Sequence, residues 1–325
     1  MSEENTGAIP GAIAAAAPVT ARRIWARDVA LVARFELAES LRSRLLAVMI
    51  LLFVGAGALG AWTYSAFVEQ AEEKAAQVLD APRGAKPGAA VRRLRDSASY
   101  RDVLRFFVRD DKKADYFAAF PPIVVFYAFA SFLFSPWLIL FTSAETIASE
   151  VASRAIRYSL LRTGRLTYAL GKALGQLAIL IGVTGLAAIV FYAVAWIKLS
   201  GFEPGATALG LLGYWPRIVI YTLPFLSWAL FASMATASAN FARIVSLGGA
   251  VLLAVASGVG NWAEKQHDSA AAGALGLLGV ITPFGHAEGF RYPQGGALPA
   301  DLAICLMLTV VYFSAGFAIL RRRDV

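Results

Sequence analysis

The chain has 325 residues, of which 58% are hydrophobic and only 16% charged. That balance excludes a disordered chain and argues against an ordinary water-soluble enzyme, because a soluble fold of this length cannot hide so much apolar surface from water. The net charge of +8 lies largely in arginines beside apolar runs, which points to anionic lipid head groups before nucleic acid, and the single Cys305 excludes an internal disulfide or a Cys-rich metal site.

Residues 1–20 are rich in Ala, Gly and Pro and carry Glu3 and Glu4 but no basic residue. They lack the basic-then-apolar order of a signal peptide and read as a disordered cytoplasmic start. Residues 21–44 mix Ile24, Val29, Leu31, Val32, Phe35, Leu37 and Leu41 with six arginines. This is a basic amphipathic stretch too polar to span, expected to lie in the inner interface.

Six later segments are apolar for about 20 residues, the length that crosses a hydrocarbon core of about 30 Å. They fall at 45–67, 121–142, 173–197, 218–240, 244–262 and 302–320. The fold class is therefore an all-α polytopic membrane protein with six transmembrane helices. After the first span, residues 68–120 form a long loop with eleven basic and nine acidic residues. A break at Pro82–Gly88 precedes a stretch at 89–117 that reads as a helix resting on the outer surface, or as one that gates or binds substrate. Pro136 and Pro224 fall inside spans two and four, and a tight turn near Phe241–Arg243 joins spans four and five. In the loop 263–300, the run Ala270–Phe284 is too short and Gly-rich to cross and reads as re-entrant or interfacial.

Orientation follows from charge. With both termini inside, cytoplasmic segments hold fifteen basic residues and the short outer segments four. Trp62, Trp196, Trp215 and Trp262 then fall at outer span ends, as an aromatic belt requires. The expected location is the bacterial inner membrane, multi-pass, with both termini cytoplasmic.

Several chemistries have no support. As drawn, the spans contain no Asp, Glu, Lys, Arg or His, so a proton-driven carrier would lack its relay. No phosphate-binding loop, G-x-S-x-G or H-E-x-x-H occurs. His267 and His286, among Glu264, Asp268 and Glu288, are too scattered to argue for a metal and read as solvated. The chain is expected to hold no cofactor, no metal and no catalytic residue of its own.

The segment 143–172 between spans two and three is the most specific feature. Ile147, Val151 and Ile156 share part of a short amphipathic helix, Gly164 ends it, and a new helix opens near Arg165. A short helix exposed to cytosol between two spans suits docking into a groove on a soluble partner. Ile147, Glu150, Leu160, Leu161, Arg165, Gly171 and Lys172 follow in order a pattern that resembles the type-2 ABC transporter permeases. The chain has Arg154-Ala155 where those permeases usually carry Gly-Thr, and Thr163-Gly164 where a proline turn is usual. Residues 28–44 look like that family's elbow helix, and Phe317–Val325 like its terminus.

The resemblance implies a permease subunit that pairs with a second permease copy, identical or paralogous, and docks an ABC ATPase subunit through its coupling helix. ATP and magnesium would belong to that ATPase. Glu150, Arg154, Arg157, Tyr158, Leu161 and Arg165 are then the expected docking residues, and export is the expected direction. A non-transporting anchor or mechanotransmission subunit, linking an ATPase to a periplasmic partner through 68–120, is the alternative.

Overall fold

A computed structural model describes residues 18–79, 98–200, 202–264 and 270–323. The expected disordered start (residues 1–17 of it), the Pro82–Gly88 break, and His267 with Asp268 lie outside the described residues. Every regular element among those described is helical. Six helices are long and apolar enough to cross a membrane.

In chain order, α1 is Pro18–Arg42 and α2 is Arg44–Leu79. Two shorter helices follow, α3 at Ala98–Val108 and α4 at Asp111–Ala118. Next come α5 at Pro122–Ser143, the short α6 at Ala148–Ala152 and α7 at Ile156–Arg162. Then α8 spans Arg165–Lys198, α9 Pro204–Ala235 and α10 Ala239–Glu264. Short α11 at Ala270–Val280 and α12 at Ala287–Arg291 lead to α13 at Leu298–Arg322. The six long helices are α2, α5, α8, α9, α10 and α13.

The helices outrun the apolar segments read from sequence, because nothing breaks them where the hydrophobic run stops. For α8, the breaker is Gly164 at its N-cap, so the helix begins eight residues before the expected 173 and takes in Lys172. For α9, the shift is larger. Pro204 sits in its first turn, where the missing N–H is harmless, and extended backbone at Thr236 ends it. The turn between the fourth and fifth spans is therefore at 236–238, and Phe241 and Arg243 lie inside α10.

The expected single helix at 89–117 is broken in two among the described residues. Arg109 takes a left-handed conformation (φ 54°), and the Asp110 side chain accepts the Lys113 N–H at 3.1 Å to start α4. An N-cap carboxylate outweighs helix propensity there.

The run after α10 is re-entrant. Phe284 packs against Phe225 (ring centroids 4.7 Å apart) and Trp137 (5.7 Å), well inside the bundle. The chain then climbs back along α9: Phe290 meets Tyr221 at 5.9 Å, and the Tyr214 hydroxyl donates to the Arg291 carbonyl at 3.1 Å. His286, expected to be solvated, is buried at this turn. Its Nδ1 lies 2.7 Å from Asp301 and its Nε2 2.8 Å from the Val280 carbonyl, so the ring ties the re-entrant segment to α13. Asp301 lay outside the acidic group weighed from sequence.

Candidate functional site

The segment between α5 and α8 hangs from the bundle by a few defined attachments. Ile147 and Ile156 are fully buried. The Ser233 hydroxyl of α9 accepts both the Ile147 and the Ala148 N–H groups, at 2.8 and 2.9 Å. Those donors at the start of α6 would otherwise be unpaired. Between α6 and α7 the chain bends through Arg154 at φ 60°.

The far side of this segment faces outward. Tyr158 is 78% exposed and Leu161 83%, and Arg154 and Arg157 are exposed beside them. Large apolar side chains so free of the bundle, with arginines between them, form a surface that nothing among the described residues covers.

Two of the residues expected to dock a partner are instead engaged within the chain. The Arg165 guanidinium donates to the carbonyls of Leu320 (3.4 Å) and Arg321, capping the C-terminal end of α13. Arg323 does the same for α9, donating to the carbonyls of Met234 (3.1 Å), Ala235 (3.0 Å) and Thr236 (2.8 Å). Cations there satisfy the open carbonyls and complement the helix dipole.

Glu150 turns inward. It accepts from the Tyr168 hydroxyl at 2.7 Å and pairs with the Lys172 ammonium. Lys172 also pairs with Glu36 of α1, and Glu39 lies 3.9 Å away. The Gln176 amide donates to Glu36 at 2.8 Å, and the Ser143 hydroxyl donates to Gln176 at 3.1 Å. The side chains of Lys172 and Glu36 are each 5% exposed, and that of Glu150 is 17% exposed. One network thus joins α1, α5, α6 and α8.

Glycines make that network possible. A Cβ on Gly171 would lie 2.5 Å from the Val32 side chain, and one on Gly175 would lie 2.5 Å from Glu36 Cγ. Only glycine lets α1 press this close to α8. Oxygens of Glu36, Glu39 and Glu150 lie within 4.8 Å of one another, a spacing that suits a cation. The Lys172 ammonium already sits among them, so the protein supplies its own.

Sequence reasoning placed Glu150 in the site but missed its partners. Glu36 read as one charge among many on an amphipathic helix. Lys172 entered only as part of a motif, one residue outside the span as drawn. The spacing of Gly171 and Gly175 was the available signal of a close helix contact.

Residues 30–325 match the family model described as ABC-2 family transporter protein. A search of curated proteins finds no match.

Proposed function

This chain belongs to the ABC-2 transporter family, and from that premise we propose that it is the permease subunit of an ATP-driven exporter. It is a multi-pass membrane protein, and permeases of this family generally work with an ABC ATPase partner. In this reading that partner docks on Arg154, Arg157, Tyr158 and Leu161, and ATP with magnesium is handled there. A second permease copy completes the translocation path. The face carrying the coupling segment is cytoplasmic, in the inner membrane of a bacterium.

One observation carries the reading: the coupling segment has two chemically distinct sides. Its outward side offers exposed apolar and basic groups, suited to a helix-in-groove contact. Its inward side plants Glu150 on Lys172, so displacement of the docked segment is delivered to α8 and, through Glu36, to α1. Arg165 and the end of α13 meet at the same face, which places the last span beside the same input.

The test is purification of the tagged chain in mild detergent from its native host. Co-purification of an ATPase bearing a phosphate-binding loop, with vanadate-sensitive ATP hydrolysis in the eluate, is the expected result. A chain that emerges alone and without hydrolysis from several mild detergents overturns the proposal.

A further inference from the structure

At the face opposite the coupling segment, two arginines stand among aromatic rings. Their depth can be set from contacts between α5 and α9. A Cβ on Gly210 would lie 2.6 Å from Val124 Cγ1, and the Ser135 and Thr222 hydroxyls are 3.1 Å apart. Phe129 of α5 therefore lies level with residues 215–217 of α9. From Arg217 to Ala235 at the coupling end is about 27 Å along the helix. That is close to the thickness of a hydrocarbon core, about 30 Å. Arg217 and Phe129 therefore mark the opposite membrane surface.

The Arg217 guanidinium lies 5.2 Å from the Tyr214 ring centroid, with one nitrogen 3.4 Å from the Tyr116 hydroxyl. Arg291 stacks 4.7 Å from the Phe129 ring, and its Nε donates to the Ala287 carbonyl at 3.3 Å. The same Tyr214 reaches the Arg291 carbonyl, so both arginines flank one aromatic wall at one depth.

Neither arginine has a carboxylate partner among the described residues. The neighbouring acids are committed elsewhere. Of the nearby carboxylates, Glu288 and Asp110, the latter at 3.7 Å, are spent on Lys113 and Asp301 on His286. Burial pulls the Arg291 guanidinium below its ordinary pKa, and the nearby Glu288, already paired with Lys113, offsets this only in part. A partly buried cation without an anion is costly, and a guanidinium fork matches phosphate oxygens two at a time.

We propose that Arg217 and Arg291 bind the net-anionic, phosphate-bearing head group of an amphiphile at this membrane surface. The chemistry is shared by a resident anionic phospholipid and by a phosphorylated lipidic molecule in transit. Tyr214, Tyr116 and Phe129 supply the aromatic flank on which such a head group rests. The site does not rest on the permease reading, since it needs neither an ATPase nor a transport cycle.

The experiment is native mass spectrometry of the full chain, delipidated in mild detergent and titrated with phosphatidylglycerol or with phosphatidylcholine. Wild type is expected to retain phosphatidylglycerol preferentially. The R217Q/R291Q variant should bind it about ten-fold more weakly, the order expected for a lost charge-assisted contact. R217K/R291K, which keeps the charges but not the forks, should fall between them. R105Q, on an arginine already paired with Asp102 and Asp111, should behave as wild type. Displacement by glycerol phosphate would assign recognition to the free phosphate group, whereas displacement only by lipid would assign it to a lipid-anchored one; both support the site. Equal retention of the two lipids by wild type overturns it, as does unchanged retention by a double variant that still elutes as folded protein.

Discussion

Replacing Lys172 by methionine keeps the volume of the side chain and removes its charge. Glu36 and Glu150 would then face each other with no cation between them, and Glu36 is almost wholly buried. Breaking a buried ion pair by removing one partner costs about 3–5 kcal/mol, because the other charge stays behind. Glu150→Gln is a different perturbation. It leaves the Lys172–Glu36 pair in place and an amide oxygen for the Tyr168 hydroxyl, so its cost should be about 1 kcal/mol. Replacing all three residues by neutral ones of similar size removes the unpaired charge and should recover most of the Lys172→Met loss. The assay is thermal unfolding in detergent, reported by labelling of Cys305, the single and fully buried thiol. With roughly 2 °C of Tm per kcal/mol for a large chain, Lys172→Met should lower Tm by about 6–10 °C and Glu150→Gln by about 2 °C. If the two variants lose the same few degrees, Lys172 does not neutralise this cluster and the reasoning fails.

Tyr158→Ala with Leu161→Ala should leave Tm unchanged, since both side chains are exposed, while co-purification of an ATPase falls at least ten-fold; a stable variant that still captures the ATPase refutes the docking surface. Gly175→Val forces side-chain atoms against Glu36 and should cost about 1–3 kcal/mol by overpacking, read as a lower Tm by the same Cys305 labelling. Ser233→Ala removes the acceptor of two N–H groups and should cost about 1–3 kcal/mol. It should also speed limited proteolysis between α6 and α7, and an unchanged cleavage rate would show that Ser233 does not hold the segment.

The six spans were legible because lipid demands long apolar runs and little else in a sequence imitates them. Their ends were less so. Helices continue past the hydrocarbon wherever no residue stops them, and the stops here are quiet ones: Gly164 before α8, Pro204 at the start of α9, and the polar step at Thr236–Ser238. The break at Arg109 carried no glycine or proline, only the Asp110 cap. The segment between α5 and α8 stood out through its amphipathic pattern, and docking is what its resemblance to known permeases implies, but pattern does not show which side a charge faces. Glu150 and Arg157 look alike in a sequence; one is bound by Lys172 and the other is exposed. The Lys172–Glu36 contact spans 136 positions, and no local signal encodes it. His286 was misjudged for the same reason, its carboxylate partner being on the next long helix.

These contacts divide a displacement of the coupling segment unequally. Toward α8 and α1 the connection is a buried charge network clamped between helices in glycine contact, and it yields only at a cost of several kcal/mol. Toward α9 it is one serine hydroxyl holding two N–H groups, worth about 1–3 kcal/mol. Between α6 and α7 lies a bend at Arg154, and just beyond it the fully buried Ile156 holds α7 to the bundle. A push on Tyr158 and Leu161 should therefore move α7 and α6 together and, through Glu150 and Lys172, carry α1 with α8 as one body. The first contact to give is the one between the segment and α9. In the permease reading, opening of the helix bundle begins where the start of α6 parts from Ser233 of α9, while the elbow helix and the third span stay together.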